Sequence, residues 1–229
     1  STAENIRKAQ QRCSATSGYG RGKINDTQGE KAMKKKYDHV YQFKITLKGT
    51  KPPIWRRIQV PETYSFWDLH VAIQDAMGWL DYHLHQFDIV NPATGMMVEI
   101  GIPDDDFGED MLPDWKQKIA NYFTMENSSA DYVYDFGDNW EHKVKLEKIV
   151  PRDANTDYPI CITGKRACPP EDCGGVWGYE DFLEIISDPD NDEHEEMLEW
   201  AGGDFDPEYF DAKDIRFDDP AERRKNAFE

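Results

Sequence analysis

From Tyr41 the chain alternates strictly, with Phe43, Ile45 and Leu47 facing one way and Lys44, Thr46 and Lys48 the other. A period of two is that of a strand with one buried face. Gly49-Thr-Lys-Pro-Pro53 supplies a turn, after which Ile54, Ile58 and Val60 resume the inward parity. The two runs therefore predict a hairpin, and with it a sheet that has one face on the core. Arg56 shares the inward parity. A guanidinium cannot shed its charge, so it must meet an acid or an anion inside. A structural ion pair with an Asp or Glu is the expected partner, and a bound anion the functional alternative.

The rest of the pattern extends this start. Ser65 with Asp68 approximates a capping box, and Phe66, Leu69, Ile73, Ala76 and Met77 fall at helical spacing before Gly78 ends the run. His70 lies near that stripe and needs only packing to explain it. Residues 83–90 read as a third strand and 96–100 as its partner across Asn91-Pro-Ala-Thr-Gly95, giving β-β-α-β-β. The acidic stretch 103–117 reads as a loop with a helical turn around Trp115, and residues 132–136 and 140–149 as a further hairpin. Beyond Val150 turns and short helices are expected, at 179–186 and 193–201, with Asp206 capping a third before Pro207. The fold class is α+β: a β-grasp-like antiparallel or mixed sheet with one main helix, a Cys/Pro/Gly-rich loop and C-terminal helices. Residues 1–38 form a flexible basic leader, 39–217 a single domain whose part from 150 is helical and looped, and 218–229 a polar, fraying tail.

Charge narrows the function classes. Residues 1–37 hold nine Lys and Arg against three Asp and Glu, whereas the remainder holds eighteen against forty-two. Binding a phosphate backbone needs clustered cations, so nucleic acid is an unlikely partner for the acidic body, and any such contact falls to the leader. No run of about 18 apolar residues is present, which argues against a membrane span. Four cysteines without a signal-peptide pattern fit a cytoplasmic location.

Chemistry-bearing residues crowd between 132 and 179. Tyr134-Asp-Phe-Gly-Asp-Asn-Trp-Glu-His142 is followed by Cys161 and by Cys168-Pro-Pro-Glu-Asp-Cys173-Gly-Gly. Strand parity turns His142 inward beside Trp140 and Val144, where it is either a core histidine or a ligand. Asp135 and Asp138 flank the turn before it, as ring-orienting or ligand-holding groups or simply as turn formers. The thiols are spaced by seven and five residues, unlike a compact zinc knuckle. His83, His85, His142, Cys168 and Cys173 could still assemble a mixed zinc site in space; buried thiols, a reversible thiol pair or a nucleophilic Cys beside His142 are the alternatives. Asp188, Asp190, Asp192 and Glu199 fit a calcium-loop template except at its glycine, and read better as an acidic helix entrance.

Lys51-Pro-Pro-Ile-Trp-Arg-Arg57, Asp81-Tyr-His-Leu-His-Gln-Phe87, the segments 134–142 and 168–175, and Phe205-Asp-Pro-Glu-Tyr-Phe210 together resemble the plasmid pRi open-reading-frame-three family over about residues 39–216. The resemblance implies an α+β domain of prokaryotic plasmids, mobile elements and chromosomes with no established activity, some relatives carrying a transposon-resolvase label. A recombinase needs a nucleophile ringed by arginines, and this acidic body has no such cluster.

The function expected is a non-enzymatic module binding a protein or small-molecule partner, with Arg56, Asp135, Asp138, Trp140 and Trp177 as ligand-binding candidates. A zinc-dependent hydrolase is the alternative, with nucleic-acid association through the leader as a third reading.

Overall fold

The computed structural model describes residues 37–103 and 111–228. The leader up to residue 36, with Cys13, and the Asp104-Asp105-Asp106 run lie outside the described residues. The expected hairpin is β1 (His39–Leu47) and β2 (Trp55–Pro61), followed by α1 (Phe66–Met77), β3 (His85–Val90), β4 (Met97–Gly101) and the two-residue β5 (Leu112–Pro113). After a 3-10 turn at Ile119–Asn121 come β6 (Ser129–Tyr134), β7 (Trp140–Pro151), β8 (Ile160–Lys165), α2 (Gly175–Ser187), α3 (His194–Trp200) and α4 (Pro220–Phe228). The architecture is α+β: one eight-stranded sheet in the order β5-β4-β3-β6-β7-β1-β2-β8, antiparallel except for the β4–β5 pair.

Helix α1 crosses the core face of this sheet. Its apolar stripe, Phe66, Leu69, Ile73, Ala76 and Met77, joins the inward residues of β1, β2, β6 and β7 in one cluster. Phe66 sits edge-on to Phe87 at 5.2 Å and to Tyr122 at 5.4 Å, a geometry that adds to simple area burial. The capping box is reciprocal: Asp68 N donates to Ser65 Oγ at 3.2 Å and Ser65 N donates to Asp68 Oδ2 at 2.7 Å. Gly78 closes the helix at φ +87°, a conformation that glycine alone adopts freely. Ser65→Ala is expected to cost about 1 kcal/mol, read from urea denaturation.

Arg56 corrects the expectation of a carboxylate partner. The side chain is buried, and Nε donates to Ala76 O at 2.8 Å while Nη1 donates to Trp55 O at 3.0 Å and Lys165 O at 3.1 Å. Nη2 points at Cys168 Sγ, 3.3 Å away, and the guanidinium lies 4.2 Å from the Phe210 ring centre. Ala76 belongs to the last turn of α1, whose carbonyls lack helical partners and form the negative end of the helix dipole. That helix end and two further carbonyls take the place of an acid.

Three other segments differ from their pattern. β8 pairs with the outer edge of β2, where the sequence suggested only turns; Gly164 breaks its alternation because Phe210 and Trp55 O leave no room for a Cβ. Asp206 and Pro207 make a turn, in which Glu208 N donates to Asp206 Oδ1, and no helix starts there. The polar tail is helix α4, fastened by Arg223 Nη2 to Asp75 and Asp218 at 2.6 Å each and by Trp67 Nε1 donating to Pro220 O at 2.8 Å. Its composition hides these contacts because they are polar and those to Asp75 and Trp67 reach 148 and 153 residues back along the chain.

Candidate functional site

Three segments meet at the end of β6. Asp135 follows β6 directly, His83 precedes β3, and Asp172 lies in the Cys/Pro/Gly loop before α2. Their ligand atoms, one imidazole nitrogen and two carboxylate oxygens, all fall within 4.8 Å of one another. His83 Nε2 is 2.9 Å from Asp172 Oδ1 and 3.6 Å from Asp135 Oδ2. That nitrogen is enclosed, yet it forms no aligned hydrogen bond with either carboxylate.

Local backbone chemistry explains the convergence. Asp135 and Asp172 adopt φ +57° and +59°, a left-handed conformation that aspartate tolerates at some cost and that turns each carboxylate back toward the histidine. Asp135 Oδ1 accepts from Gly137 N at 2.9 Å, leaving Oδ2 for His83. Asp138 pins the second loop by accepting from Gly174 N at 3.0 Å, and Gly175 packs so closely that a Cβ would lie 2.5 Å from Asp138 O. Tyr134 and Glu171 then tie all three segments together. Tyr134 Oη donates to Glu171 Oε1 at 2.6 Å, Tyr82 N donates to Tyr134 Oη at 2.9 Å, and Leu80 N donates to Glu171 Oε2 at 2.8 Å. Burial pushes the Glu171 carboxyl above its ordinary range, against the Tyr134 hydrogen bond.

His83 also borders a pocket of about 620 Å³ between the 79–83 segment and α4, within the size range of small-molecule sites. Trp67, Trp79, Ile102 and Phe228 supply apolar wall, and Asp81, Asp218, Asp219 and Glu222 supply carboxylates. Under Trp67 lies a buried polar network. The His70 and His85 rings stack at 3.5 Å and 9°, with His70 Nε2 2.8 Å from Asp81 Oδ1 and His85 Nε2 2.8 Å from Asp114 Oδ2. Burial drives the His70 pKa down despite Asp81; burial also opposes the Asp81 charge, but His70, His85 and Arg223 outweigh it and hold that carboxyl low.

Residues 39–214 match the family model described as plasmid pRiA4b ORF-3-like protein. The chain belongs to this family. A relative, the uncharacterised protein y4hQ of Sinorhizobium fredii, is 37% identical over 166 residues, covering 71% of this chain and 81% of its own. A crystal structure of a protein of unknown function from Methanosarcina mazei Go1 is 55% identical with a TM-score of 0.75, covering 80% of this chain and all of that one. The family match includes His83, Asp135 and Asp172 and ends before α4.

The residues singled out in the sequence separate into distinct places. His83 and Asp135 come together, and Asp138 supports them through Gly174. His85 is buried against Asp114 rather than beside His83, because the chain bends at His83 and strand alternation begins only at His85. His142 is fully buried, with its ring 5.4 Å from Trp79 and 5.2 Å from Tyr132. Cys168 faces Arg56 and Met77, and Cys173 faces Gly175 O. Burial pushes both thiols up, that of Cys173 to about 12, with Asp138 adding to it. The expected Cys/His zinc set is therefore not assembled: among the described residues the candidate metal group contains neither thiols nor His142. Trp140 is core, against Trp79, and Trp177 is 80% exposed on α2, away from the pocket lining. Asp172, Glu171 and Tyr134, which the geometry brings to this place, were not singled out in the sequence, although Glu-Asp sits inside the Cys168–Cys173 motif. The thiols around that pair drew attention from its oxygens.

Proposed function

We propose that this chain is a ligand-binding module that holds a divalent cation between His83, Asp135 and Asp172, at the rim of the 620 Å³ pocket. The observation that carries the reading is the enclosed His83 Nε2, without a hydrogen bond yet facing two carboxylate oxygens at 2.9 and 3.6 Å. Metal–ligand bonds of about 2.1 Å place neighbouring ligand atoms roughly 3.0–3.5 Å apart, a range that the separations of 2.9 and 3.6 Å bracket, so a small side-chain adjustment would admit a shared ion. One imidazole with two carboxylates is a donor set for Zn²⁺, Mn²⁺ or Fe²⁺, harder than the thiolate set expected from the sequence. Tyr134 and Glu171 would hold the ligating segments in place, as outer-shell groups do at metal sites.

Metal-free protein titrated with Zn²⁺ or Mn²⁺ in a calorimeter is expected to bind one ion. His83→Ala, a change at a partly exposed side chain, should lower that affinity by about 100-fold without unfolding the protein. No binding by the parent, or equal binding by the variant, would overturn the reading. Glu171, a half-buried carboxyl with a raised pKa beside the centre, favours a second reading in which cation-bound water is activated for hydrolysis. Turnover of neutral p-nitrophenyl esters by the metal-loaded protein, absent from metal-free protein and from His83→Ala, would support it.

A further inference from the structure

The pocket beside the cation centre has an unbalanced wall. Arg223, its one arginine, is outnumbered by carboxylates: Nη2 lies 2.6 Å from Asp75 and from Asp218, while the enclosed Nη1 lies 3.8 Å from Asp81 Oδ2 and makes no hydrogen bond. Asp81 is shared with His70. Asp219 gives Oδ1 to Ala221 N and keeps its second oxygen. Glu222, on the exposed first turn of α4, has no partner among the described residues. The spare charge is therefore negative. The indole N–H groups of Trp67 and Trp79 are spent on Pro220 O and Pro169 O, so these largely buried rings present only an apolar edge to the pocket and no donors. Leu80, 64% exposed, and Phe228 continue that surface.

A ligand that completes such a wall brings hydrogen-bond donors and positive charge on an apolar body. Resting on the pocket as the ligand site, and independent of the metal ion, we infer that it takes an organic cation, an aryl- or alkylammonium whose body lies along Trp67, Leu80 and Phe228 and whose charge meets Asp219 and Glu222. Anionic ligands such as phosphates or carboxylates are repelled by the same carboxylates, which the surplus of acidic residues in the body reinforces.

The test uses the full chain freed of metal and titrated by calorimetry with phenethylammonium and, as a control of similar size, phenylpropionate. Phenethylammonium is expected to bind with one-to-one stoichiometry and at least about tenfold more tightly than phenylpropionate, with affinity falling as salt is raised. The double variant Asp219→Asn, Glu222→Gln, at two exposed positions, should weaken it about fivefold while leaving thermal stability unchanged. Failure of phenethylammonium to bind, tighter binding of phenylpropionate, or full affinity in the double variant overturns the inference. Because metal is absent throughout, each of those results leaves the cation centre standing, and loss of that centre alone leaves ammonium binding intact.

Discussion

Replacing His142 by phenylalanine is expected to leave the protein folded at neutral pH and to make it progressively more stable than the parent as the solution is acidified. The imidazole is fully buried between Trp79 and Tyr132, and neither ring nitrogen has an aligned hydrogen-bond partner. Burial pushes its pKa down to about 3, although the backbone of Trp140 and Tyr132 lies close enough to favour the cation a little. In the unfolded chain the same group titrates near its ordinary value of about 6.5. Between these values the unfolded state carries a proton that the native state does not. Native stability therefore falls as pH drops below about 6.5, by roughly 1.4 kcal/mol per pH unit from this one group, and the loss levels off near the folded pKa. Phenylalanine removes that proton from both states. Urea denaturation of both proteins between neutral pH and pH 4 should show their stability difference widening with acidity by several kcal/mol. Parallel pH profiles would mean that the imidazole is charged or solvated in the native state.

Arg56→Met should lower stability by about 3–5 kcal/mol, because truncating a buried, hydrogen-bonded cation strands its partners. The carbonyls of Ala76, Trp55 and Lys165 lose their donors inside the protein, and the end of α1 loses its positive charge. A melting temperature lower by roughly 10 °C is expected for a chain of this size. Arg56→Lys should recover little of it, since an ammonium keeps the charge and lacks the planar fork that reaches three carbonyls and the Cys168 thiol together. If either variant melts within a degree of the parent, Arg56 does not join the helix end to β2 and β8 as described.

What was legible in the sequence follows from the range of the forces involved. The first hairpin and α1 are written in local patterns: alternation about a Pro-Pro turn, and a capping box with a glycine stop, both present as expected. The spatial order of the strands was not legible. β1 lies between β2 and β7, and its register with β7 joins residues about a hundred positions apart. β8 escaped notice because an edge strand needs no alternation, and α4 because its anchors are ion pairs across the chain. For the site, His83 and Asp135 could be picked out by residue type and by crowded turn formers, whereas Asp172 joins them only through the docking of Gly174 and Gly175 on Asp138. His142 and Trp140 looked functional in the sequence for the same reason that they pack well, since inward parity buries them, and the thiols are half-buried against the same core.

The central claim is that His83, Asp135 and Asp172 form one cation site, and anomalous scattering from crystals soaked in Mn²⁺ or Zn²⁺ tests it most directly. The account predicts a peak about 2.0–2.2 Å from His83 Nε2 and from one oxygen each of Asp135 and Asp172. A metal peak on Cys168 and Cys173 instead, or none beside His83 under saturating cation, would contradict it.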